Sequence, residues 1–203
     1  ASLDACKAYI ANAYNCSYEI AVKLHKVLWR NLVPDELEIA DATLKTITYD
    51  LLFEEKRELA LRLLEFAVDI LPKHSSDINK KMFIVNLAQA YYFTNNNEEC
   101  RRRIDNEDWS ACGLNFQICV QVLRDEFDEA AESMKQIGDD GPVRKEYYTE
   151  WPIFQEFRKT DKFRDAYKEV FGHDPVIQET HSEKSKAKDQ DSEDEQKDKD
   201  ALH

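Results

Sequence analysis

Only four glycines and five prolines occur in 203 residues. All-β chains spend both residues freely on turns, so that class is disfavoured. Period-two alternation of apolar and polar residues is hard to find. Spacing at i, i+3 and i+4 recurs almost everywhere, and the expected class is all-α. No apolar run is longer than a few residues, so no segment is expected to span a membrane. Cation charge is also scarce, with 28 basic against 41 acidic residues and a formal net charge of −13. Such a surface repels phosphate backbones, so nucleic acid is not the expected partner class.

The five cysteines, Cys6, Cys16, Cys100, Cys112 and Cys119, are odd in number and contain no C-x-x-C. They are expected to be reduced thiols filling small apolar positions, in a cytoplasmic protein. No histidine has the spacing to complete a zinc site with Cys112 and Cys119. Asn15 heads a glycosylation sequon, which without secretion is read as coincidence. Ala1 stands where a start methionine would, with no leader or cleavage site after it. That reads as a trimmed chain or a fragment of something longer.

What is present is a series of amphipathic helices. A helical pattern runs from Ser2 to about Leu32, with Ile10, Tyr14, Ala21, Leu24 and Leu28 on one face. Pro34 followed by Asp35 and Glu36 is a helix start, with proline in the first turn and carboxylates at the positive end of the dipole. Helices follow at about 35–53 and up to Pro72. "KHSSD" then supplies a turn and an N-cap. A hairpin of about 78–107 comes next, then two further helical stretches ending at Gly172 and Pro175. From Val176 onward nine acids and five lysines occur with almost no large apolar residues. Such a segment cannot offset its ordering entropy and is expected to be disordered. The three expected regions are therefore 1–33, an N-terminal helix or helix pair packing on the rest; 34–175, the helical body; and 176–203, a charged tail.

The body carries an internal echo. Leu44, Ile47, Thr48, Leu51, Ala60 and Leu64 are matched forty residues later by Ile84, Leu87, Ala88, Tyr91, Cys100 and Ile104, whereas Pro72 is not matched and becomes Cys112. Small residues at Thr48/Ala88 and Ala60/Cys100 would let paired helices approach closely. A third unit shows in Phe127, Ala130, Met134 and Pro142. Its first helix, around Phe116 to Leu123, fits only if the intervening turn is one or two residues shorter. A partial fourth has Ile153, Phe157, Phe163, Ala166 and Val170, with bulky Phe154 at a small position.

This pattern resembles the tetratricopeptide repeat, over about 40–171, although the period of 40 exceeds the usual 34. The resemblance implies antiparallel helix pairs stacked as a short α-solenoid. A non-repetitive helical bundle is the competing architecture. In the family, the first helices of the pairs form a concave groove that binds a peptide or partner helix. Carried over by position, that groove would hold Lys45, Tyr49 and Phe53, with Asn86, Gln89, Tyr92 and Phe93 from the second unit. Ala42, Leu52, Met82 and Val85 would lie on the same face. Each of these aromatics could equally pack against a neighbouring hairpin. Some family members clamp a carboxylate with a Lys/Asn/Asn/Lys/Arg set. Lys45 and Asn86 match two positions, but Tyr49, Cys112 and Phe116 occupy the others, so an apolar or amphipathic protein segment suits the groove better.

Catalysis finds no support in the residues. There is no Gly-rich phosphate loop, G-x-S-x-G or H-E-x-x-H, and no Arg-x4-His ribonuclease motif. The histidines are scattered, and His173 in "GHDP" reads as part of a helix end. Arg101 to Arg103 read as a solvated, acid-paired face. The expected function is therefore a protein-interaction module without cofactor or metal. The competing reading is a regulatory or sensory helical domain of a larger enzyme or of a toxin–antitoxin or defence system, acting on a catalytic domain in cis.

Overall fold

The computed structural model describes residues 27–177. The expectations for Ser2 to Lys26, for Cys6 and Cys16, and for nearly all of the charged tail lie outside them. The described residues are all-α, with no strand. None of their helices is long and apolar enough to cross a membrane.

After a helical turn at 27–30, α1 spans Pro34–Phe53. Pro34 occupies its first turn, and Glu36 reaches back to accept the Val33 N–H at 3.1 Å. That pairing satisfies a donor that the helix start would otherwise leave open. α2, Arg57–Glu65, runs into a wider π-helical turn, Phe66–Ile70. α3 spans Asp77–Phe93, capped by Ser76, whose side chain accepts from Asn79 N–H. α4 is Asn97–Asp105, α5 Leu114–Leu123 and α6 Phe127–Ile137. α7, Lys145–Glu150, leads through two 3-10 turns, Pro152–Phe154 and Phe157–Lys159, to α8, Asp161–Phe171. Gly172 ends α8 with φ of 75°, the left-handed conformation that glycine adopts without a Cβ penalty.

Three of the inter-helix turns are the same object. Glu55, Asn95 and Asp125 are the non-glycine residues with positive φ among those described, at 57°, 60° and 62°. Each is the middle residue of a three-residue turn. In each, the residue after it sends its N–H back five residues: Lys56 to Leu51 O, Asn96 to Tyr91 O and Glu126 to Gln121 O, at 2.8–2.9 Å. That bond closes the last turn of the first helix while the left-handed residue reverses the chain. The result is three helical hairpins: α1/α2, α3/α4 and α5/α6.

Aligned on these turns, Ala60, Cys100 and Ala130 are equivalent, and all are buried. So are Leu64, Ile104 and Met134. The third hairpin therefore has a turn of the same length as the others, and the shorter turn expected for it is corrected. It departs elsewhere. Asp125 follows Asn95 by 30 residues where Asn95 follows Glu55 by 40. Its first helix has 10 residues against 20 and 17. Trp109 anchors the loop before it. Its indole donates to Ile104 O at 2.7 Å and its ring lies 6.2 Å from Phe116, so the chain before α5 is used as packed loop. At the small position of this hairpin stands Ile118, fully buried.

The first helices pack side by side, α1 on α3 and α3 on α5, and each second helix packs on its own first helix. α2 also packs on α3, and α6 on α8. The expected fourth unit is broken into α7 and two 3-10 turns. It closes on an aromatic core of Tyr148, Phe154, Phe157, Phe163 and Tyr167, all fully buried.

Candidate functional site

Along the packed first helices lies an open cleft of about 350 Å3. α1 contributes Lys45, Thr46 and Tyr49, α3 contributes Val85, Asn86 and Gln89, and α5 contributes Asn115, Phe116 and Cys119. Counted from the left-handed turn residues, these nine form three equivalent sets: 45/85/115, 46/86/116 and 49/89/119. The cleft is thus one register of the hairpin repeated three times. Leu52 and Met82 extend the apolar wall. Pro142, Trp151, Pro152 and Ile153 close it from the C-terminal side.

Lys45 is the one charged residue of the lining, which contains no acid. Its Nζ donates to Asn79 Oδ1 at 2.8 Å, and Asn79 Nδ2 donates to Ser75 Oγ at 2.6 Å. Ser75 in turn donates through Oγ and N–H to Asp41 at 2.8 and 2.6 Å. Fully buried Asp41 also faces His74 Nδ1 at 2.9 Å, and His74 Nε2 faces Ala67 O in the π-helical turn at 3.2 Å. Burial alone would raise the Asp41 pKa, but the hydrogen bonds from His74 and Ser75 outweigh it and hold the carboxyl below its ordinary value. The cleft lysine is therefore positioned by a polar chain that runs into the junction of the first two hairpins.

Gln89 is different. It is only 4 % exposed, and its Nε2 has no hydrogen-bond partner. A buried amide nitrogen without a partner costs free energy. Burial pushes the Cys119 thiol up to about 12, so it lines the cleft as a small protonated group. The Tyr49 phenol is raised first by burial and then by the charge of Glu150, at the end of α7.

Of the expected groove residues, Lys45, Tyr49, Asn86 and Gln89 come together in this cleft. Phe53, Tyr92 and Phe93 do not line it, and that part of the expectation is corrected. Phe53 is 52 % exposed beyond the cleft and stacks on Tyr49 at 6.1 Å. The Tyr92 hydroxyl donates to Asp125 at 2.8 Å, which ties α3 to the turn of the next hairpin. Phe93 lies under the Arg57 guanidinium at 4.9 Å, which ties it to the previous hairpin. These two aromatics join hairpins. The equivalent of Tyr49 in the second hairpin is Gln89.

The C-terminal wall was missed. Trp151 stacks on Tyr147 at 4.3 Å. Buried Arg158 donates to Trp151 O at 2.7 Å and Tyr148 O at 3.2 Å, which fixes the end of α7 against the cleft. The available signal was Trp151 followed by Pro152, since proline forces the chain out of a helix there.

Arg101, Arg102 and Arg103 each meet a carboxylate, of Asp125, Glu99 and Asp69 respectively. The described residues hold no group of three or more His, Cys, Asp or Glu able to ligate a metal ion. Comparison with family models, with curated proteins and with solved structures finds no match for this chain.

Proposed function

We propose that this chain is a protein-interaction module of tetratricopeptide-like helical hairpins, and that its cleft binds an apolar or amphipathic segment of a protein partner. The observation that carries the proposal is the threefold register. The same three positions of three successive first helices converge on one open, mainly apolar cleft. A wall of this kind offers rigid side chains of helical origin, which suits a ligand longer than one residue. Tyr49 and Trp151 supply large amphipathic contacts of the sort that dominate binding energy, and Phe116 adds apolar wall. Net charge and the acid-paired arginines both oppose a phosphate-backbone partner.

The test is selection of binding peptides from a random display library on the whole chain, followed by Thr46→Arg. Thr46 is exposed at the cleft wall, so an arginine there blocks the cleft without disturbing the core. Affinity should drop about tenfold or more, as for loss of a hot spot. Peptides that bind Thr46→Arg as tightly as the parent chain would contradict the proposal.

A further inference from the structure

The outer face of α1 is built like an interface. Ile39, Ala42, Thr46, Tyr49 and Phe53 follow one another at alternating steps of three and four, and all five are exposed. That spacing makes one continuous stripe along a helix. Counted from the left-handed turn residues, their equivalents on α3 are Asn79, Met82, Asn86, Gln89 and Phe93, and none of those is exposed. On α3 this face meets the first hairpin: Asn79 accepts from Lys45, and Phe93 lies under Arg57. α1 thus presents, uncovered, the face that α3 buries against its neighbour. Exposed large hydrophobic residues concentrate in the same place. Of the ten among the described residues, seven lie between Val27 and Leu59.

We infer that the occupant of this stripe is the chain's own segment of residues 17–26, docked on α1 as α2 docks on α3. Three observations select it. The first is position. The chain enters α1 with Trp29 Nε1 donating to Lys73 O at 2.9 Å and Lys73 Nζ donating to Leu32 O at 3.1 Å. Residues 17–26 are therefore tethered beside the start of the stripe, and a short tether raises their effective concentration over that of a separate molecule. The second is register. Asn15 stands forty residues before Glu55 and eighty before Asn95, and asparagine tolerates the left-handed conformation that those turns adopt. Leu24 falls in the same register as buried Leu64 and Ile104, and Ile20 and Ala21 widen its apolar face. The third is charge. α1 exposes Asp35, Glu36 and Glu38, while the segment carries Lys23 and Lys26 against the single acid Glu19. A second copy would instead set the acids of one α1 against those of another. Ile39, Ala42 and Phe53 lie outside the cleft lining, so this inference stands whether or not the cleft binds a peptide.

The test is hydrogen exchange and thermal unfolding of the full chain, with Ile39→Asp and Leu24→Asp as variants. Amides of residues 17–26 should be protected in the parent chain. In Ile39→Asp they should exchange about tenfold faster or more, while α3 and α5 keep their protection. Ile39→Asp should also lower the melting temperature by about 5 °C. Ile78→Asp, also exposed but in the first turn of α3 and off the stripe, should not. The double variant Ile39→Asp/Leu24→Asp should melt no lower than the more damaging single one, because both remove the same contact. Free exchange of residues 17–26 in the parent, or an Ile39→Asp chain that melts with the parent, would overturn the inference. Fully additive losses would do the same. Sedimentation completes the test: a dimer that Ile39→Asp converts to monomer would put a second copy on the stripe and overturn it too.

Discussion

The carboxylate of Asp41, fully buried, and the imidazole of half-buried His74 meet at 2.9 Å between the first and second hairpins. Both ring nitrogens of His74 lie within hydrogen-bond distance of an oxygen, one of Asp41 and the other of the Ala67 carbonyl. Asp41 holds Ser75 as well, and through it Asn79 and Lys45. Asp41→Asn should cost about 3 kcal/mol in urea unfolding, because it leaves one partner of a buried pair without the other.

The pH dependence of that contribution has a definite sign. The folded carboxyl titrates below the ordinary Asp value of 3.8. The stabilisation is therefore fully present above that value and is lost as pH falls through the depressed folded one. Stability curves of the parent and Asp41→Asn should converge in that acid window. A difference that persists unchanged through it would show that the charge is not what matters.

Glu55 holds the left-handed turn of the first hairpin at φ 57°, where a β-branched residue is strained and glycine is not. Glu55→Gly should be more stable than Glu55→Val by about 1–2 kcal/mol. Thermal unfolding of the two variants checks it. Equal stability would mean that the turn relaxes out of the left-handed region.

Ala88 and Ile118 share one register position, and both are fully buried. Ala88→Leu should overpack the α3/α4 crossing and cost roughly 1–3 kcal/mol. Ile118→Ala should instead leave a cavity and cost roughly 2–5 kcal/mol. Denaturant midpoints decide it. If Ile118→Ala proved neutral, the third hairpin would be built like the second after all.

The helical class was legible because period 3.6 dominates the body, and the starts at Pro34 and Ser76 were legible because caps are local chemistry. The first two hairpins were legible because their equivalent residues lie a constant 40 apart. The third was only half legible. Its second helix keeps the pattern at Ala130 and Met134, but its first helix is shorter, follows a loop packed around Trp109, and carries Ile118 in place of a small residue. The site divided along similar lines. Lys45, Tyr49, Asn86 and Gln89 follow from helix register. Tyr92 and Phe93 were drawn to other hairpins by Asp125 and Arg57, partners set by tertiary packing. Trp151 reached the cleft through a 3-10 segment pinned by Arg158, which no helical periodicity marks.

The most direct measurement is chemical-shift mapping of a display-selected peptide on the isotope-labelled chain. The account predicts that the largest perturbations fall on Lys45, Tyr49, Asn86, Gln89, Asn115 and Phe116, the repeated register of α1, α3 and α5. Perturbations centred instead on α2, α4 and α6, or on Arg101 to Arg103, would contradict it.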